Sequence, residues 1–198
     1  MQKEINMKKQ LADVLIELMK NMSLDKITVK DIVDKAGVSR QTFYYYFHDI
    51  YEVIEWYLDD LAEKTIGEFN YNEDWIYGYL VVLRWAKANK TILMNIYYSV
   101  SREMIEFYLN RTLYDYVLQV VLRKGANRNV TLKQKEFIAN FYTMSLNAVT
   151  LDWMRKNMKE EPEQLADEIF TLIKGDCERA LKKFEVSNKS GYKEKINI

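Results

Sequence analysis

Eight hydrogen-bonding side chains fall within ten residues of this chain: Ser39, Arg40, Gln41, Thr42, Tyr44, Tyr45, Tyr46 and His48, in the stretch "GVSRQTFYYYFH". Read as a short helix, the stretch divides by face. Phe43, Tyr46, Phe47 and Ile50 follow the i, i+3, i+4, i+7 rule on one side, and Gln41, Tyr44, Tyr45 and His48 follow it on another. Only the first set needs a core. Successive helical residues point about 100° apart, so three tyrosines in a row cannot all face inward and at least one should be exposed. Arg40 and Thr42 flank the second set near the helix start, where side chains of a helix laid in the major groove reach base edges. Tyr44 and Tyr45 each combine a ring that can pack beside a sugar with a hydroxyl that can donate to a phosphate oxygen.

Covalent chemistry is poorly supplied. Cys177 and His48 are the only candidates for a thiol–imidazole pair, and they fall on segments read as separate domains. His48 is better explained as a phosphate donor, and Cys177 as a small half-buried residue on the last helix. No Gly-rich phosphate loop, His/Glu metal spacing or nucleophile elbow occurs. The expectation is a protein that is not an enzyme, with no catalytic residue, metal site or cofactor.

Several elements must position the polar stretch. From Lys8 to Met22 the apolar residues Leu11, Val14, Leu15, Leu18, Met19 and Met22 recur at spacings of three and four, which predicts an amphipathic first helix. After the turn "NMSLDK", Thr28 can cap a second helix with Asp31 three residues on, a short-armed capping box, and Ile27 and Ile32 stand where a hydrophobic staple would. Gly37 suits the left-handed residue that ends this helix. Ser39 caps a third helix two residues later. Two short helices joined by a tight Gly turn, after a longer one, have the grammar of a helix-turn-helix.

Beyond Ile50 breakers are rare. Helices are expected over about 50–69, 73–88, 91–98 and 101–123, then a loop at "KGANRNV". Thr131 should cap a long helix reaching about Met158, and Pro162 suits the first turn of a final helix ending near Phe184. The expected division is residues 1–50 for DNA binding, 51–186 for effector binding and dimerisation, and 187–198 as a flexible tail without apolar periodicity.

Composition agrees with an all-α chain. Of 198 residues 48% are hydrophobic, and one Pro and six Gly leave few interruptions to long helices. Twenty-nine basic residues balance 29 acidic ones, so whole-chain charge does not point to a polyanion and any nucleic-acid contact must come from local placement. Residues 1–50 hold eight Lys/Arg against seven Asp/Glu, a net of +1. The single cysteine forms no internal disulfide, the N-terminus lacks a secretory apolar region, and no stretch reaches about 18 uncharged apolar residues. A cytoplasmic protein that does not span a membrane is expected.

The segment "TVKDIVDKAGVSRQTFYYYF", within a match from about Leu11 to Trp56, resembles the DNA-binding signature of the TetR family of bacterial transcription regulators. "HDIYEVIEWYLDDL" and "FYTMSLNAVTLDWMRKNMKEEPEQLADEIFTLIKG" resemble a subgroup that includes the dihydroxyacetone-kinase operon regulators. The resemblance implies an all-α protein, an N-terminal three-helix DNA-binding domain followed by a larger helical ligand-binding and dimerisation domain. It implies that Thr28 meets a phosphate and Lys30 lies at the groove. Arg40, Gln41 and Thr42 would read bases, with Ser39 and Tyr44 on the backbone, Tyr45 at the edge of both, and His48 donating to phosphate. Tyr46 and Phe47 match inward positions. Many members carry Lys where this chain has Ile50, so one phosphate contact is lost, and backbone affinity rests more on the helix N-termini at Thr28 and Ser39.

The larger half offers two apolar stripes, Phe137, Phe141, Met144, Ala148 and Leu151 before Pro162 and Leu165, Ile169, Leu172 and Ile173 after it. The family buries its last two helices against a twin, so Phe141, Met144, Ala148, Leu165, Ile169 and Leu172 are expected at a homodimer interface. Each stripe could equally cover its own protomer's core. Family members also place an effector pocket among the middle helices, for which Trp56, Tyr79, Arg84, Phe107, Tyr108 and Phe141 are the candidates. Arg84, amid "YLVVLRWA", needs a carboxylate partner or an anionic ligand if buried, or snorkels to the surface. The leading expectation is a repressor that binds a palindromic double-stranded operator as a homodimer under a small-molecule effector. The alternative is an activator or co-regulator governed by a protein partner.

Overall fold

The computed structural model describes residues 2–67, 75–100 and 102–190. Among them are α-helices, one 3₁₀ turn and no strand. The fold is all-α, as expected. The helices are α1 (Gln2–Met19), α2 (Val29–Ala36), α3 (Arg40–Tyr46), α4 (Ile50–Gly67), α5 (Trp75–Ala88), α6 (Lys90–Ser99), α7 (Arg102–Lys124), α8 (Leu132–Arg155), α9 (Pro162–Ile173) and α10 (Asp176–Ser190), with the 3₁₀ turn at Leu24–Lys26. No helix among the described residues is long and apolar enough to cross a membrane.

The chain forms two compact units. The first joins residues 1–68 to residues 86–108, and the second joins 69–85 to 109–198. This division differs from the one at residue 50: α4 and α6 belong with the helix-turn-helix. The reason is apolar. Val53, Ile54 and Leu58 of α4 and Ile92 and Ile96 of α6 are buried in the same cluster as Leu11, Leu15 and Met19 of α1, Ile32 and Val33 of α2, and Phe43 and Phe47 at α3. Burying side chains of this size contributes about 1.5–3 kcal/mol each. A three-helix unit of 50 residues has too little interior to do this alone.

In the second unit α8 starts at a capping box, Gln134 N–H donating to Thr131 Oγ1 (3.3 Å) and Thr131 N–H to Gln134 Oε1 (2.9 Å). It stops three residues before the expected end. Asn157 and Met158 both adopt positive φ, 60° and 48°, and Met158 N–H donates back to Trp153 O at 2.8 Å. Pro162 opens α9 as expected. The expected single helix from Pro162 to Phe184 is two, because Gly175 takes φ 79°, a left-handed residue that ends one helix and lets α10 begin at Asp176. Four residues of the expected tail, 187–190, are the last turn of α10, and 191–198 lie outside the described residues, as do 68, 69, 73, 74 and 101 from the expected helices. Cys177 is buried rather than half-buried.

Candidate nucleic-acid interface

Local capping builds the interface. Asp31 N–H donates to Thr28 Oγ1 (3.3 Å), while Thr28 donates to Asp31 Oδ2 from its amide (2.9 Å) and its hydroxyl (2.6 Å). These bonds hold the Asp31 carboxyl below its ordinary value, the Thr28 hydroxyl first and the backbone amide second. Ile27 and Ile32, on either side of this cap, are both buried. Gly37 closes α2 at φ 68° with its N–H on Val33 O, and Gln10 Nε2 of α1 donates to Ala36 O at 3.0 Å. The cost of the left-handed conformation is small only for glycine. Two residues later Ser39 Oγ accepts from Thr42 N–H at 3.0 Å, starting α3.

α3 divides as its spacing predicts. Phe43 and Phe47 are buried, Tyr46 and Ile50 half-buried, and Ser39, Arg40, Gln41, Tyr44, Tyr45 and His48 exposed. The Tyr45 side chain is 78% exposed, in a molecule that buries most of its other aromatic rings at least in part. Its ring meets that of half-buried Tyr46 edge-on, with centroids 4.8 Å apart, so the exposed tyrosine is braced rather than loose. Tyr44 is braced likewise on Phe43, centroids 5.5 Å apart. Rigid, exposed, hydroxyl-bearing rings suit contact with a sugar–phosphate backbone.

Hydrogen bonds sort the remaining expectations. Both donors of Thr28 are engaged by Asp31, so the expected Thr28–phosphate contact has no hydrogen left to use, and the Asp31 carboxylate stands at the very helix N-terminus that was to hold the anion. The first turn of α3 contains no acidic residue. Ser39 Oγ and Thr42 Oγ1 share one hydrogen bond of 2.9 Å, which leaves one of the two hydroxyl hydrogens to point outward. Lys30 is exposed, whereas Lys35 is tied to Glu17 at 2.8 Å. At α4, Asp49 Oδ1 accepts from Glu52 N–H (2.9 Å) and Glu52 Oε2 accepts from His48 N–H (2.6 Å). Two carboxylates thus stand beside Ile50, and His48 offers only its imidazole.

The effector candidates are mostly committed elsewhere. In the second unit Tyr79 is fully buried and its hydroxyl shares a 2.9 Å bond with Thr150 Oγ1, and burial pushes its pKa to about 12. Arg84 is exposed, its Nε donating to Glu163 Oε1 at 2.7 Å, so it both snorkels and finds a carboxylate. Phe141 is exposed. In the first unit Trp56 and Tyr108 pack against the apolar cluster, and Phe107 is exposed. A groove of about 130 Å³ between α8 and α9 is lined by Tyr142, Ser145, Leu146, Val149, Ile169, Leu172 and Ile173, against the ~300–1,000 Å³ that small-molecule pockets usually offer.

Of the expected dimer residues, Phe141, Met144 and Ala148 of α8 and Leu172 of α9 are exposed, Leu172 by 76%. Phe137 joins them, its ring edge-on to Phe184 of α10. Leu165 and Ile169 turn inward and are buried within their own protomer, as is Leu151. Three- and four-residue spacing marks a face but not which way it turns.

A capped pair of short helices that presents one polar face over an apolar floor defines a helix-turn-helix DNA-binding protein. Comparison with known proteins makes the class specific. Residues 12–55 match the bacterial regulatory proteins of the tetR family, and residues 73–175 match that family's transcriptional regulator C-terminal region. The chain belongs to the TetR family of transcription regulators, a class that is not enzymatic. It is 25% identical over 176 residues to the dhaKLM operon transcriptional activator DhaS of Lactococcus lactis (strain IL1403), covering 87% of this chain and 91% of that one. It is 23% identical over 170 residues to the HTH-type regulator YxbF of Bacillus subtilis (strain 168), covering 83% of this chain but only 44% of that one. A solved structure of the dihydroxyacetone kinase operon activator DhaS is similar with a TM-score of 0.69 at 22% identity, over 91% of this chain and 99% of that one. A TetR-family regulator from Syntrophomonas wolfei is similar with a TM-score of 0.62 at 17% identity, over 87% and 95%.

Proposed function

We propose that this TetR-family regulator binds a palindromic operator as a homodimer, with α3 of each protomer in successive major grooves. Arg40, Gln41 and Thr42 read base edges. Ser39, Tyr44, Tyr45, His48 and Lys30 hold the backbone. The observation that carries this is the division of α3: Arg40, Gln41, Tyr44 and Tyr45 are exposed and Thr42 half-buried, while Phe43 and Phe47 fix the helix to the core. The exposed apolar side chains of Phe137, Phe141, Met144 and Leu172 support the second copy, because large contiguous apolar surface on one protein commonly marks an interface.

Of the two directions of control expected from the sequence, the activator draws more support than the repressor relieved by a small molecule. The curated relative similar over 87% of this chain is a transcriptional activator. The hydroxyl of Tyr79 and the guanidinium of Arg84 already have protein partners, so neither argues for a bound metabolite. Selection of duplexes from a random library, followed by transcription in vitro from a promoter carrying the selected site, tests both parts. Enrichment of a two-fold symmetric site with raised transcription is expected. Failure to enrich any sequence overturns the DNA reading, and lowered transcription overturns activation alone.

A further inference from the structure

The carboxamide of Asn95, in the middle of α6, makes three bonds to the backbone of the corner between α1 and α2. Its Nδ2 donates to Met19 O (3.0 Å) and Met22 O (2.6 Å), and its Oδ1 accepts from Leu24 N–H (2.8 Å). All of these residues lie in the first compact unit. Met19 O is one of the carbonyls left over where α1 ends, groups that need partners from outside the helix, and Met22 O belongs to the turn that follows. Asn95 is the one amide in "ILMNIYY", and it sits between Ile92 and Ile96, both buried in the cluster that also takes Leu24 and Ile27.

We propose that Asn95 is a positioning residue for operator binding: it sets the register of α6 on the α1–α2 corner and through that corner the placement of α2 and α3. The inference rests on the reading that α3 binds DNA. Apolar contacts from Ile92 and Ile96 hold α6 against α1 and the 3₁₀ turn, but such contacts are non-directional and tolerate sliding. Three hydrogen bonds from one planar amide do not, since each weakens steeply with angle. The corner runs directly into Ile27 and the Thr28 cap, α2 runs through Gly37 into α3, and no other joint intervenes.

The test compares the parent with Asn95→Ala and Asn95→Asp, the latter keeping an acceptor for Leu24 while losing both donors. Fluorescence polarisation is read on the best duplex that the parent selects from a random library and on a scrambled duplex, with the folded fraction counted by stoichiometric titration. Per folded protein, both variants should bind the selected duplex about tenfold more weakly and the scrambled one within about twofold of the parent, a loss of specificity rather than of fold. Amide exchange at Leu24 should quicken in Asn95→Ala while that at Phe43 and Val53 stays slow. Equal loss on both duplexes, binding of the selected duplex within twofold of the parent, or failure of both variants to fold would each overturn the proposal. A parent that binds no duplex overturns the DNA-binding reading and this one with it, whereas a parent that binds while the variants match it overturns this one alone.

Discussion

The ring of Tyr116 in α7 lies directly against the backbone of Gly78 in α5. A Cβ placed on Gly78 would come within 2.5 Å of Tyr116 Cζ and 2.9 Å of its hydroxyl oxygen. Tyr116 is itself 1% exposed and has nowhere to retreat. In an open helix Gly→Ala stabilises by about 1 kcal/mol, but overpacking a closed core costs about 1–3 kcal/mol, so the clash wins. Gly78→Ala should lower stability by about 1–2 kcal/mol, read from the urea midpoint at unchanged slope. A gain would show that the α5–α7 approach is looser than this.

Base reading and backbone holding separate by salt. Arg40→Ala should weaken selected-site binding by about 10- to 100-fold and relax specificity at one base position. Lys30→Ala should instead weaken all duplexes alike and reduce the slope of log K against log salt by about one. With a net charge of only +1 over residues 1–50, the parent slope should itself be shallow.

If the proposed homodimer forms through the outer face of α8, charges placed there should disrupt it. Phe141→Glu combined with Met144→Glu places two charges on a face now 60% and 67% exposed at those residues, so the folded protomer tolerates them. On the proposed homodimer, sedimentation should show the variant as a monomer under conditions where the parent sediments as a dimer, with dimerisation weakened by about 100-fold or more. Leu165→Ala, by contrast, removes a buried side chain and should lower the melting temperature without separating the protomers. A Phe141/Met144 variant that stays dimeric would move the interface elsewhere.

The cap of α2 carries a pH signature. The Asp31 carboxyl is held below its ordinary value of 3.8 by the Thr28 hydroxyl and amide. A carboxyl depressed on folding adds stability that is fully present above its unfolded value and is lost as pH falls through its folded one. Asp31→Ala should therefore unfold more easily than the parent at neutral pH, and the gap in urea midpoint should narrow once pH falls below 3.8 toward the lower folded value. A gap that persists unchanged to pH 3 would assign the difference to helix propensity rather than to the ionised cap.

Sequence alone determined whatever depends on neighbours in the chain. Thr28 with Asp31, Gly37, Ser39 and Thr131 with Gln134 set their caps and turns because those hydrogen bonds span three or four residues. The 3.6-residue period divided α3 into a core face and a polar face, and the relatives share that segment's signature. Tertiary structure decided what depends on partners far along the chain. It turned Leu165 and Ile169 inward and left Leu172 outside, since a helical stripe carries no sign of its direction. It gave Arg84 a carboxylate 79 residues away. It joined α6 to the helix-turn-helix through Asn95, 71 residues from Leu24, because an amide amid apolar residues does not announce which backbone it will satisfy. A side chain's local pattern fixes its face of a helix. Its burial and its partner follow only when the other helices close around it.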